Sequence, residues 1–222
     1  MSAVVKSIEV PLAFCLCSFV AGPAGCSTAI GAQSSHAGKI EIRVYDYVSL
    51  TSKTLNEAET EASRVLQQAG IETDWRLAAL SAAEADGLAA APPMQPTTVV
   101  LRILDRQRSE KLIVRKEALG YGVPCPVDEP GCMTSILYTR VEALAKQGDA
   151  SLAQILGHAI AHELGHLLLG SNAHSISGIM QARSRGDVLR QATKGLLLFT
   201  TEQAGRMRNE VVIRQQRCLL PH

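Results

Sequence analysis

Aromatic side chains make up only 4% of this 222-residue chain, and its formal net charge is only +1. Few aromatics leave poor stacking platforms for bases or sugars, and a near-neutral balance without a basic stripe lacks the electrostatic footprint that phosphate binding needs. Nucleic acid is therefore not an expected partner. No internal repeat or low-complexity tract appears, so the chain is not a repeat array. A long apolar run is missing as well: the stretch from Pro11 to Ala21 is too short for a comfortable transmembrane helix. What remains, 46% hydrophobic and 19% charged residues, suits one soluble globular domain plus a short extra segment.

That segment is N-terminal. Lys6 precedes Leu12, Phe14, Leu16, Phe19 and Val20, and small residues follow around Ala24-Gly25-Cys26. The pattern reads as a secretory signal, removed at Ala24, Ala29 or Ala32, so residues 1–32 are assigned to the leader and 33–222 to the mature domain. The expected location is secreted or periplasmic. Pro23-Ala24-Gly25-Cys26 is also similar to the end of a bacterial lipobox, with Cys26 as a lipid anchor, although proline stands where leucine is usual. Export permits disulfides, and the Pro/Gly-rich loop between Cys125 and Cys132 makes those two the favoured pair, with Cys218 left over.

Chemistry concentrates in His162-Glu163-Leu164-Gly165-His166. At about 3.6 residues per turn the two histidines stack on one helix face, close enough for both imidazoles to bind one ion, while Glu163 flanks it. The setting supports a helix, because Leu152, Ile155, Leu156, Ala159 and Ile160 recur at helical spacing and run on into Leu164, Leu167 and Leu168. A largely buried helix does not carry two histidines and a glutamate unless something satisfies them. Zinc in catalytic sites takes three protein ligands and keeps one position open, and a neighbouring carboxylate can move the proton of an activated water. His158 extends the same stripe but lies roughly 12 Å along the axis from His166, too far to share the ion, and is expected to be a buried, hydrogen-bonded histidine. His36 and His222 are incidental.

Gly170 is placed to end the helix in a left-handed C-cap, after which the chain turns back to His174 and then to Gly178-Ile179-Met180. The order His162, Glu163, His166, Gly170, His174 and Met180 resembles the metzincin zinc peptidases. In that family a third histidine after a glycine turn completes the metal site and a methionine turn lies beneath it. The spacing departs from the usual H-E-x-x-H-x-x-G-x-x-H by one extra residue on each side of Gly170. The resemblance covers about Ser151 to Met180 by motif and the rest by element order. It implies that His162, His166 and His174 hold Zn2+, that Glu163 is the general base, and that an extended peptide or protein substrate lies along an edge strand.

Other readings stay open here. Gly131-Cys132-Met133-Thr134-Ser135 ahead of the helix resembles the cysteine-plus-two-histidine arrangement of peptide deformylases, with Cys132 as third ligand. Glu202 or Glu210 would be the third ligand in a gluzincin. A catalytically inert zinc-binding scaffold is the alternative outside the enzymes, though such a site has no use for Glu163.

The remaining pattern predicts an α+β, metzincin-like zincin domain with a mixed, twisted sheet. Strands are expected at Ile40–Val44, Ile71–Leu77, Val99–Leu104 and Ile136–Tyr138, and a helix from Thr54 or Asn56 through Gln68 that Gly70 ends. Ser81–Pro96 reads as a surface loop and Gly120-Tyr121-Gly122 as a turn, with Ser109 to Tyr121 bordering the cleft. A last helix, about Glu202 to Gln215, is capped by Thr200 or Thr201.

Overall fold

The computed structural model describes residues 38–78, 94–123, 132–170, 173–181 and 190–217. All of them belong to the compact unit 36–222. The expected leader with Cys26, most of the 81–96 loop, and Cys125, Cys218, His36 and His222 lie outside the described residues.

The first strand, β1 (Gly38–Asp46), alternates as its sequence does: Ile40, Ile42 and Val44 are fully buried, and Glu41 and Arg43 face the other way. Helix α1 (Ser52–Gln68) begins earlier than the apolar pattern suggests, because the Thr51 hydroxyl accepts from the Thr54 amide and so satisfies an amide with no intrahelical partner. Its buried face is the expected Leu55, Ala58, Ala62, Val65 and Leu66, and Gly70 leaves it at φ +79°. There follow β2 (Ile71–Leu77), β3 (Thr98–Leu104), a short helix α2 (Arg106–Glu110) capped by Asp105, β4 (Gly120–Val123) and β5 (Cys132–Leu137). Helices α3 (Tyr138–Ala145), α4 (Leu152–Leu169) and α5 (Thr201–Arg217) complete the numbered elements.

The strands form one mixed sheet in the order β2-β1-β3-β5-β4. The first four are parallel, and β4 runs antiparallel to β5 at the edge. Parallel neighbours require crossover connections, of which α1 is the first. A segregated α+β arrangement is therefore too simple, and the sheet is α/β in character with one reversed edge. Two further local expectations are corrected. Gly120-Tyr121-Gly122 is strand rather than turn, since backbone pairing with Thr134, Ser135 and Ile136 outweighs the low strand preference of glycine. The expected strand at Ile136–Tyr138 starts at Cys132 and stops at Leu137, where Tyr138 opens α3.

Helices α1 and α4 share the apolar core with the Ile40, Ile42, Val44, Leu101 and Ile136 side of the sheet. They come close because Gly157 has no side chain: a Cβ there would stand 2.7 Å from the Ala58 carbonyl oxygen and from Glu61 Cβ. The opposite side carries a polar set, with Arg102 donating from Nε to Ser135 Oγ (3.1 Å) and from Nη2 to the Tyr121 hydroxyl (2.7 Å). Helix α5 ties the ends of the other two helices. Arg208 donates to the Ala69 carbonyl after α1 (2.9 Å), and Arg206 and Arg214 donate to the Leu169 and Leu167 carbonyls at the end of α4 (3.0 and 2.7 Å). Cations at helix C-termini answer both the orphaned carbonyls and the negative end of the helix dipole.

Candidate metal and catalytic site

Helix α4 starts with a capping box in which Ser151 and Gln154 satisfy each other's amides, and it is buried over nearly its whole length. One turn separates His162 from His166, and their Nε2 atoms face each other at 3.1 Å. The Ile179 carbonyl receives the Nδ1 hydrogen of His162 at 2.8 Å, which leaves the Nε2 lone pair free to ligate. That carbonyl belongs to the Gly178-Ile179-Met180 turn, so the turn orients the first histidine directly. Met180 is fully buried against Gly165, where a Cβ would lie 2.6 Å from its sulfur. The residue just before His166 thus has to be glycine for the methionine to lie there.

Gly170 ends the helix at φ +94°, ψ 164°, with its amide on the His166 carbonyl at 3.0 Å. The positive φ is as expected, but the ψ is extended rather than that of the left-handed C-cap. This glycine-only region sends the chain straight out of the helix. The chain then returns to the site at His174, whose ring centroid lies 4.8 Å from that of His166 and 5.7 Å from that of His162. One ligand atom from each of the three histidines falls within 4.8 Å of the others. The longer spacing around Gly170 is absorbed by α4 continuing to Leu169 and by the extended exit.

Burial sets the protonation of the group. It lowers His162, helped by the neighbouring His174 and opposed by the bond to Ile179. It also lowers His166, with His162 and His174 adding to the effect, to about 4. Both rings are therefore neutral at physiological pH, which is the form a metal binds. Glu163 is 5% exposed, and burial pushes its carboxyl up to about 8. It makes no hydrogen bond among the described residues. Above it lies β4, which presents glycines: a Cβ at Gly120 would stand 2.7 Å from Glu163 Cγ, and one at Gly122 would stand 3.1 Å from Leu167. The G-x-G of β4 is what lets an edge strand pass over the H-E-x-x-H helix, and an alternation of two glycines is the signal a turn reading conceals.

A cleft of about 560 Å³ opens on these groups, between Val114–Gly122 on one wall and His162, Glu163, His166 and His174 on the other. Of the segment from Ser109 to Tyr121 expected to border it, only the part from Val114 onward does, and the Tyr121 hydroxyl is engaged by Arg102. His158 is 3% exposed, with Nδ1 against the Gln154 carbonyl at 2.8 Å and Nε2 3.3 Å from Glu61, and it stands outside the three-histidine group. Cys132 is disulfide-bonded and accepts from Arg214 at 3.0 Å, so it offers no thiolate to a metal. Glu210 is paired with Arg214 at 2.8 Å, and Glu202 is exposed in the first turn of α5. Neither glutamate belongs to the group.

No protein-family model and no curated protein matches the chain. Among solved structures it is similar to the crystal structure of archaemetzincin from Methanopyrus kandleri, with a TM-score of 0.45 and 16% identity over 82% of this chain and 99% of that one. A likeness that distant carries no weight for the chemistry, which rests on the three histidines and the glutamate.

Proposed function

We propose that the chain is an exported zinc-dependent endopeptidase, with His162, His166 and His174 as the metal ligands and Glu163 as the general base. The observation that carries this reading is the convergence of three imidazoles, two of them held neutral by burial, on one point beside a buried carboxyl in an open cleft. Three nitrogen donors with room for one more partner suit catalytic zinc. When bound, zinc would supply Lewis-acid chemistry, polarising a carbonyl and making water more acidic.

The protein's own groups do the rest. Glu163 takes the proton of the attacking water on its carboxylate and passes it to the leaving amine. Its environment favours the neutral acid, and a nearby cation favours the charged base, so the carboxyl is placed to hold a proton for part of the cycle and release it for the rest. The Ile179 carbonyl keeps His162 in its ligating tautomer. The outer edge of β4, unpaired among the described residues, offers main-chain groups to an extended peptide. Export agrees with the N-terminal leader pattern and with a disulfide at Cys132, a bond that lasts in oxidising compartments. No helix among the described residues is long and apolar enough to cross a membrane.

Zinc content by elemental mass spectrometry, measured beside cleavage of a peptide library, tests this reading in the parent, Glu163→Gln and His174→Ala. The expected result is one zinc and hydrolysis in the parent, zinc without hydrolysis in Glu163→Gln, and marked zinc loss in His174→Ala. A parent that holds zinc but cleaves nothing, with Glu163→Gln indistinguishable from it, would leave an inert zinc scaffold instead.

A further inference from the structure

Two of the three histidines are fixed by a long buried helix, whereas His174 is exposed and sits on an irregular loop. That loop closes on itself: the Ser175 amide donates to the Met180 carbonyl (3.0 Å), the Gln181 amide to the Gly178 carbonyl (3.2 Å), and the Ser175 hydroxyl to the Ser177 carbonyl (2.7 Å). Internal bonds give the loop a shape but do not say where it stands relative to α4. The far half is docked, since the Ile179 amide donates to the Leu198 carbonyl at 2.8 Å. At the near half Ala173 packs against the core, and next to His174 the hydrogen bond that reaches the loop from outside it, among the described residues, comes from a single side chain. Gln203 Nε2 donates to Ser175 Oγ at 2.9 Å.

Gln203 is 7% exposed, and its amide has no freedom to flip. Its Oε1 accepts from the Thr200 backbone amide (3.0 Å) while the Gln203 backbone amide donates to Thr200 Oγ1 (3.2 Å), a capping box at the start of α5. The Ser175 hydroxyl has spent its one proton on Ser177, so its oxygen can only accept, and the NH2 of glutamine is the group that answers it. The same short segment reaches the helix half of the site, because a Cβ at Gly165 would stand 2.7 Å from the Phe199 ring. Leu198, Phe199 and Gln203 therefore touch the turn, the metal helix and the third-ligand loop in succession.

We infer that Gln203 is a positioning residue for the metal site: through Ser175 it sets His174 against the two helix histidines, and so sets the affinity and geometry of the bound ion. This rests on the zinc reading above. The full mature chain is tested by competition against a chelator for zinc affinity, and by the visible spectrum after cobalt loading, in the parent, Gln203→Met, Ser175→Ala, the double variant and Thr200→Ala. Gln203→Met and Ser175→Ala should each weaken zinc binding by roughly 10- to 100-fold, as loss of a ligand-orienting bond does. The double should be no worse than Ser175→Ala, since both singles remove the Gln203 to Ser175 link and Ser175→Ala also loses the bond to Ser177. The cobalt band should shift in position in both singles, a change of coordination that a smaller folded fraction, which lowers intensity alone, does not produce. Thr200→Ala, which loses the cap hydroxyl but keeps the Gln203 to Ser175 bond, should melt earlier with zinc affinity within about twofold of the parent, because the cap acts on helix stability alone. If Gln203→Met does not fold, Ser175→Ala decides, since it leaves the cap intact. Parent-like affinity and cobalt spectrum in Ser175→Ala overturn the inference while the zinc reading stands. A parent without zinc overturns both.

Discussion

The two halves of the metal site are built on different physics. The helix half, His162 to His166, is held by the core: Leu164 is fully buried, Leu167 and Leu168 nearly so, and capping at both ends leaves little slack. The loop half, His174 to Gln181, is anchored in the core at its far end by Ile179 and Met180, but its ligand is exposed and the stretch around it stands on a small set of polar bonds. A helix ligand is placed by hundreds of weak contacts that no one substitution removes, and a loop ligand by a few bonds that one substitution can. Changes in the helix half that leave the loop in place should therefore show in rate and stability, and changes that move the loop half should show in metal affinity.

The largest test of that contrast is Glu163→Gln. The helix holds its two histidines without help from the carboxylate, so zinc should stay while turnover falls by about 10²- to 10⁴-fold, the usual contribution of a positioned general base. Single-turnover cleavage beside zinc stoichiometry reads both. Loss of zinc together with activity would mean that the helix half is not the autonomous unit described here.

Gly165 and Gly170 separate packing from backbone strain. At Gly165 an added Cβ meets the Met180 sulfur and the Phe199 ring, while at Gly170 it meets nothing within 4 Å and only the positive φ objects. Overpacking costs about 1–3 kcal/mol and forces its neighbours to move. A strained φ costs about 1–3 kcal/mol too, but can be confined to its own residue. Gly165→Ala should therefore lower both the melting temperature and zinc affinity, because it pushes away the turn whose carbonyl holds His162. Gly170→Ala should lower the melting temperature with a smaller loss of zinc. The reverse ranking in zinc would show that the helix exit, rather than the methionine, governs the site.

Which parts were legible in the sequence follows the same division. The H-E-x-x-H helix, β1, α1 and β2 could be read because their side chains repeat at 3.6 or 2 residues, and β3 because it is a short, nearly continuous apolar run. Strand β4 could not, since Gly120, Tyr121, Gly122 and Val123 carry no apolar alternation and owe their extended form to pairing with β5. The parallel order of the sheet was equally hidden, because period 2 reports burial and is silent on direction. Short α2 depends on its Asp105 cap, and α3, which has no side-chain cap, on where β5 ends. In the site, His162, Glu163 and His166 follow from covalent spacing alone. The approach of His174 depends on an exit angle at Gly170 that no count of residues supplies. The bond from Gln203 to Ser175 joins residues 28 apart that share no pattern.

The smallest effect concerns pH in the zinc-free protein. Glu163 has an ordinary value of 4.5 and a folded value of about 8. A group raised on folding gives stability that is complete below its unfolded pKa and lost as pH rises through the folded one, so this contribution drains between about pH 4.5 and 8. His166 runs the other way: lowered from 6.5 to about 4, it contributes above pH 6.5 and is lost as pH falls through about 4. Melting of the chelator-treated parent should therefore weaken toward both ends of the range. Glu163→Gln removes the alkaline limb and leaves the acid one, and its advantage over the parent should widen to a few degrees by pH 9, about what 1 kcal/mol produces in a domain of this size. Zinc should erase the difference at the alkaline end, because a cation beside the carboxylate favours the charge that burial opposes. If the gap between variant and parent does not change from pH 5 to 9, burial does not control the Glu163 carboxyl, and the helix half is wetter than its packing indicates.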